Sequence, residues 1–264
     1  MGAVLLAFEG LSILSLLLQK KRIPVAIWIQ TVITFTAFVI LFMAPGNDVR
    51  VASEIATWMP GYKELSVGKH LFMTIQWMLS SFANEGKAFF IAIWAAGFLL
   101  LIKSKKAKVY QILAIVFSVA AILPYAGITF FSEMGIGDID IEQCLTELPT
   151  WQSMTTQNRI AFFWWIAAVL FTLVLLWKVT GHSVFISMVF LGGIASEAVL
   201  YFSPTIYASG ARVYYLTDLM YLFIILWMVM RMDSEKKKNL FIAGAAALGV
   251  INFLSQYSIM LLKL

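Results

Sequence analysis

Positive charge in this chain comes in blocks, and the blocks fall in the gaps between long apolar runs. Lys20, Lys21 and Arg22 form the first, and Lys103, Lys105, Lys106 and Lys108 the second. Lys178 stands as a lone third, and Arg231, Lys236, Lys237 and Lys238 form the fourth. Together they hold twelve of the nineteen basic residues. Short loops kept on the cytoplasmic side of a membrane retain Lys and Arg, so all four blocks belong on one side. A chain that crosses a bilayer twice between successive blocks meets that requirement.

Composition points to the same solvent. Of 264 residues, 61% are hydrophobic and only 12% charged, too few polar groups to cover a water-facing surface. The net charge of +5 is a sum over two wet sides of a bilayer, so it is not read as a nucleic-acid footprint. The single cysteine, Cys144, excludes an intrachain disulfide. No basic segment precedes the apolar stretch from Ala3, and Glu9 interrupts that stretch, which argues against a cleaved signal peptide.

A spanning helix needs roughly 20 largely apolar residues. Eight segments qualify, at about 3–18, 24–44, 86–102, 109–131, 159–177, 183–202, 214–230 and 240–258. The basic blocks follow the first, third, fifth and seventh. The expectation is therefore an all-α integral membrane protein, one transmembrane domain over 1–264, multi-pass in the cell membrane, with both termini outside. The stretch from Val67 to Phe82 is apolar but contains His70, Gln76, Ser80 and Ser81. A crossing there would flip every later basic block, so it reads as an interfacial or re-entrant helix on the outer face. An outer N-terminus with no leading charged segment suggests that longer relatives carry a preceding span.

Two motifs end inside-to-outside helices: Ala44-Pro45-Gly46-Asn47-Asp48-Val49-Arg50, and Ser203-Pro204-Thr205-Ile206-Tyr207-Ala208-Ser209-Gly210-Ala211-Arg212. In each, Pro stops the helix, Gly permits a turn, and an Arg follows close to the next helical pattern. Asn47 or Asp48 is expected to cap the helix containing Arg50, and Ser209 the seventh span, with Arg212 in its first turn. Helix-start N–H groups beside a guanidinium suit a phosphate. The plainer reading is a rigid turn whose Arg reaches lipid headgroups. Both readings stay open.

Glu9, Glu85, Glu197 and Asp218 fall in the outer half or at the outer edge of their spans, where a carboxylate must face a polar cavity or a partner. Arg159 is a candidate partner for Asp218. Structural ion pairs that orient helices are the alternative. The 132–158 loop holds five acids and no Lys or Arg. Its Asp138-Ile139-Asp140 has the spacing of a divalent-metal motif, though a solvated acidic loop explains it as well. His70 and His182 stand alone, so no metal site is assigned and no cofactor follows from the sequence.

On the two motifs, the chain resembles a family of bacterial polytopic membrane proteins that is similar to the GT-C membrane glycosyltransferases. That resemblance implies an outer-face site for a polyprenyl-phosphate-linked sugar or other anionic lipid in cell-envelope polysaccharide assembly. Arg50, Arg212, Asn47, Ser209, Tyr207 and Arg159 would bind the lipid phosphate and substrate. GT-C enzymes keep their essential acid in a first outer loop that this chain does not match. Glu9 and Asp218 are thus the acids positioned to act as base. A flippase of lipid-linked sugars and a scaffold for an envelope-biosynthesis partner are the rival readings.

Overall fold

The computed structural model describes residues 2–44, 46–126, 150–181, 183–206 and 214–262. All regular secondary structure among them is helical. The chain divides into two compact units, Met1–Ser80 with Ile136–Thr155 and Ser183–Met220, and Ser81–Gly135 with Thr156–His182 and Tyr221–Leu264.

The first unit opens with a helical hairpin, α1 (Gly2–Leu18) and α2 (Val25–Phe42). The first basic block makes the turn. Lys20 takes a left-handed φ of 54°, its N–H donates to the Leu17 carbonyl, and the Lys21 N–H donates to that of Leu16, both at 2.9 Å. That pair of bonds satisfies carbonyls which the end of a helix would leave bare. Pro24 stands immediately before α2, where its missing N–H removes no helical hydrogen bond. Val25, Ile29, Val32 and Phe35 of α2 are exposed, the pattern of a surface made for lipid. The unit continues with α3 (Asn47–Trp58), most of α4 (Val67–Asn84), α8 (Val184–Ala198) and the first turns of α9 (Tyr215–Met230). α1 packs along both α2 and α8.

The second unit is built on α5 (Lys87–Leu101), which packs against α6 (Lys108–Ile122), α7 (Thr156–Val179) and α10 (Glu235–Leu262). Its core is aromatic. Phe90 meets Trp94, Trp165 and Tyr221 at ring separations of 5.8, 5.5 and 5.6 Å, tilted or edge-on as aromatic quadrupoles prefer. α5 and α7 approach closely at Gly97. A methyl group there would lie 2.7 Å from Leu175 Cδ2, so only the bare glycine lets the helices meet. At one end of this unit the Lys103 and Lys237 ammonium groups both grip Asp233, at 2.9 and 2.8 Å. The second and fourth basic blocks therefore share an end, as the charge argument requires.

Four helical segments among the described residues are long and apolar enough to cross a membrane: 105–125, 156–179, 184–202 and 235–254. α4 and α5 pass together as a pair bent by 68°, which would make a fifth. Each of the eight segments expected to span is mainly helical over its described residues, but α1, α2 and α9 are shorter apolar helices. α5 alone, with 15 residues, is about 22 Å long against a hydrocarbon core of about 30 Å. Length and composition thus support a multi-pass chain, without fixing the number of spans at eight.

Candidate functional site

The first unit gathers most of the residues expected to carry function. Glu9 lies on α1 and is only 4% exposed. Thr34 of α2 donates its hydroxyl to Glu9 Oε1 at 2.7 Å, while Oε2 is buried with no hydrogen-bond partner among the described residues. The hairpin explains the pairing. Glu9 stands nine residues before the end of α1 and Thr34 nine after the start of α2, so antiparallel packing puts them level. One carboxylate oxygen is held and the other is left to a further donor, an arrangement too costly in an apolar interior to be incidental.

A second polar cluster joins α8 to the first turn of α9. Ser196 Oγ and Thr217 Oγ1 lie 2.6 Å apart, and both reach the Gly193 carbonyl, at 2.7 and 3.1 Å. Glu197, the next residue on α8, is 2% exposed. Asp218, the next on α9, is half-buried in that helix's first turn, where the helix dipole favours an acid. Glu85, by contrast, is exposed at the break between α4 and α5.

The segments flanking the two motifs come together. Ile206 of the second motif is buried with Met59, just past α3, and with Met73 and Trp77 of α4. Beside them Tyr62 donates to the Tyr201 carbonyl at 3.3 Å, and His70 Nε2 lies 3.1 Å from the Tyr62 carbonyl. A carbonyl only accepts, so that nitrogen carries the ring proton. Burial first, and then the neighbouring Tyr201, push the Tyr62 phenol upward, so it remains a donor at neutral pH. The space among these groups is only ≈ 10 Å³, the room of about one water. His70 is thus a packed tie, not a lone group, and this junction is closed to a sugar or phosphate.

The first motif differs from its expected form. Gly46 is the N-cap of α3 at φ 91°, with no side-chain cap bond, so Asn47 becomes the first helical residue and neither it nor Asp48 takes the capping position. Only glycine holds that backbone without strain. Arg50 projects from α3 with its side chain 76% exposed and pairs with Glu54 one turn on, at 2.8 Å. Arg159 is half-buried in the first turn of α7. Tyr207, Ser209 and Arg212 lie outside the described residues, as do Asp138, Asp140 and His182. Among the described residues no group of three or more His, Cys, Asp or Glu converges as a metal site.

Sequence reasoning missed Thr34, Ser196 with Thr217, and the buried face of α4, where Thr74, Gln76 and Ser80 are each at most 5% exposed. Equal distance from a tight turn was the signal available for Thr34. No family model, no curated protein and no solved structure matches this chain.

Proposed function

We propose that this chain is an eight-span protein of the cell membrane, with Val67–Asn84 re-entrant and both termini outside, that acts on polyprenyl-phosphate-linked sugars in the manner of a GT-C transferase. The observation that carries the reading is the Glu9 carboxylate, buried, steadied on one oxygen by Thr34 and lacking a described partner on the other. In transfer, Glu9 Oε2 takes the proton of the acceptor hydroxyl. The hydroxyl oxygen bonds to the anomeric carbon, and the carbon–oxygen bond to phosphate breaks, its electron pair leaving with the lipid phosphate. By the resemblance, Arg212 and Arg50 would bind that phosphate together with Asn47, Ser209 and Tyr207, and Asp218 would be a second acid; of these, Tyr207, Ser209 and Arg212 lie outside the described residues. Arg50 can exchange Glu54 for a phosphate cheaply, because an exposed ion pair contributes little. The shared end of the second and fourth basic blocks supports the topology.

The same buried carboxylate suits a proton relay, so a flippase of lipid-linked sugars is the second reading. Purified full-length protein given a polyprenyl-phosphate sugar and an acceptor distinguishes them. A transferase turns over, and Glu9→Gln or Asp218→Asn stops turnover while donor binding persists. No transfer in detergent, together with proton-driven movement of the lipid-linked sugar across vesicles, would establish the flippase instead. Neither activity, with a second envelope protein co-purifying, would leave a scaffold. Transfer that survives both substitutions would remove the base from Glu9 and Asp218.

A further inference from the structure

Nine cations of the second unit gather at one of its ends. Asp233 ties the turn after α5 to the turn before α10 by holding Lys103 and Lys237 together. α7 runs parallel to α5, because Phe90 faces Trp165, Trp94 bonds Thr172 and Gly97 abuts Leu175, so position rises along both helices together. Lys178, in the last turn of α7, is therefore level with Lys103. Two acids among the described residues share this end, and both are engaged: Asp233 by Lys103 and Lys237, and Glu235 by Lys238 at 2.7 Å. Lys105, Lys106, Lys108, Lys178, Arg231 and Lys236 are left, each exposed and without an acid partner among the described residues. The Arg231 guanidinium lies 4.2 Å over the Trp227 ring, whose face gives its N–H fork no oxygen to bond.

An exposed apolar side chain adjoins the cation at each of four helix ends. Ile102 precedes Lys103, Val109 follows Lys108, Trp177 precedes Lys178 and Met230 precedes Arg231. Single exposed apolar residues are ordinary, but the same pairing on α5, α6, α7 and α9 marks one level where hydrocarbon gives way to phosphate. An acidic protein would match the cations and leave Met230, 81% exposed, against water or carboxylates. A phospholipid covers the apolar residue with its chain and meets the cation with its phosphate. We propose that this end of the second unit is a docking surface for the headgroups of anionic phospholipids in the leaflet it faces. The surface shares no residue with the chemistry assigned to Glu9, so either can fail without the other.

The test is thermal unfolding of the purified full chain in detergent with dioleoylphosphatidylglycerol, dioleoylphosphatidylcholine, poly-L-glutamate or inorganic phosphate added. Wild type should reach equal stabilisation with the glycerol lipid at concentrations about fivefold lower, or more, than with the choline lipid, fivefold being the contribution of one basic residue at an anionic surface. Salt should shrink that ratio, since the screening length falls from about 10 Å at 0.1 M to about 3 Å at 1 M. Joint Lys105→Gln, Lys106→Gln and Lys108→Gln should lower the ratio by about threefold or more, and arginine at the same three positions should keep it. Lys178→Gln with Lys236→Gln should lower it as well, and repeats the test if the triple variant expresses poorly. Both sets leave the Asp233 pairs and most of the nine cations in place, so the charge that selects sides on insertion persists. Equal response of wild type to both lipids, a ratio that salt or both sets of substitutions leave unmoved, or stabilisation by poly-L-glutamate or inorganic phosphate equal to that by the glycerol lipid would each overturn the proposal.

Discussion

Trp94 of α5 donates its indole N–H to the Thr172 hydroxyl of α7 at 2.8 Å, with both residues wholly buried. Thr172 donates its own hydroxyl to the Ala168 carbonyl at 2.7 Å, so the threonine both accepts and donates. Thr172→Val keeps the shape and strands the indole donor, which should destabilise the protein by about 1–3 kcal/mol. Thr172→Ser should recover most of that loss. Thermal or denaturant unfolding in detergent measures both, and a neutral Thr172→Val would mean that the bond contributes nothing net.

Gly97 supports the same helix pair from the next turn of α5. Gly97→Ala should cost stability despite the better helix propensity of alanine, because Leu175 is fully buried and has no space to yield. The double variant with Leu175→Ala should cost less than the sum of the two single costs, because the clash has gone, giving a measurable coupling between the sites. Strict additivity would show that the helices simply move apart.

The knot around Asp233 predicts both a topology and a pH response. Lys103→Cys with Asp233→Cys, in a Cys144→Ser background, should cross-link with a short bifunctional thiol reagent. Single cysteines at Ser104 and Ser234 should resist an impermeant reagent in intact cells while one at Ser209 labels. Labelling at Ser104 would reverse the assignment of sides. Hydrogen bonds from Lys237 and Lys103 hold the Asp233 carboxyl at about 2. A lowered pKa contributes stability above the ordinary carboxylate value, and that contribution disappears as pH falls toward 2. Asp233→Asn should therefore flatten the part of the acid-unfolding curve between about pH 4 and 2. The change should be small, because the group is half exposed and screened.

Lys20 offers a stabilising change. Its backbone occupies the left-handed region at the end of α1, where a side chain crowds the following carbonyl. Lys20→Gly should raise stability by a few tenths to about 1 kcal/mol in an unfolding assay. A loss would mean that the charge matters more than the turn.

Much of the helical plan was legible because its causes are local. Pro24 and the first basic block mark the α1–α2 turn, and the expected boundaries at 18 and 24 fall within a residue of the observed ones. The agreement of the second and fourth blocks at Asp233 has the same origin, since insertion sorts charge by sequence position. The candidate site was harder to read. The expectation of an anion at Arg50 left out its pair with Glu54, one turn on, although that spacing is visible in the sequence. Gly46 was read as a turn residue, and the capping position it takes was given to Asn47 or Asp48. The Ser196–Thr217 contact depends on how α8 and α9 come to lie side by side, which no local spacing encodes.

The buried face of α4 has a consequence for how the protein is made. Thr74, Gln76 and Ser80 are shielded, whereas Val67 and Leu71 of the same helix are exposed. Gln76 Oε1 has no hydrogen-bond partner among the described residues. A helix that turns polar groups inward has little reason to leave water by itself, because hydrocarbon offers them no donors. Met73 and Trp77 of the same helix are buried with Ile206, which is made more than a hundred residues later, so the packing of α4 is completed only after most of the chain has been synthesised.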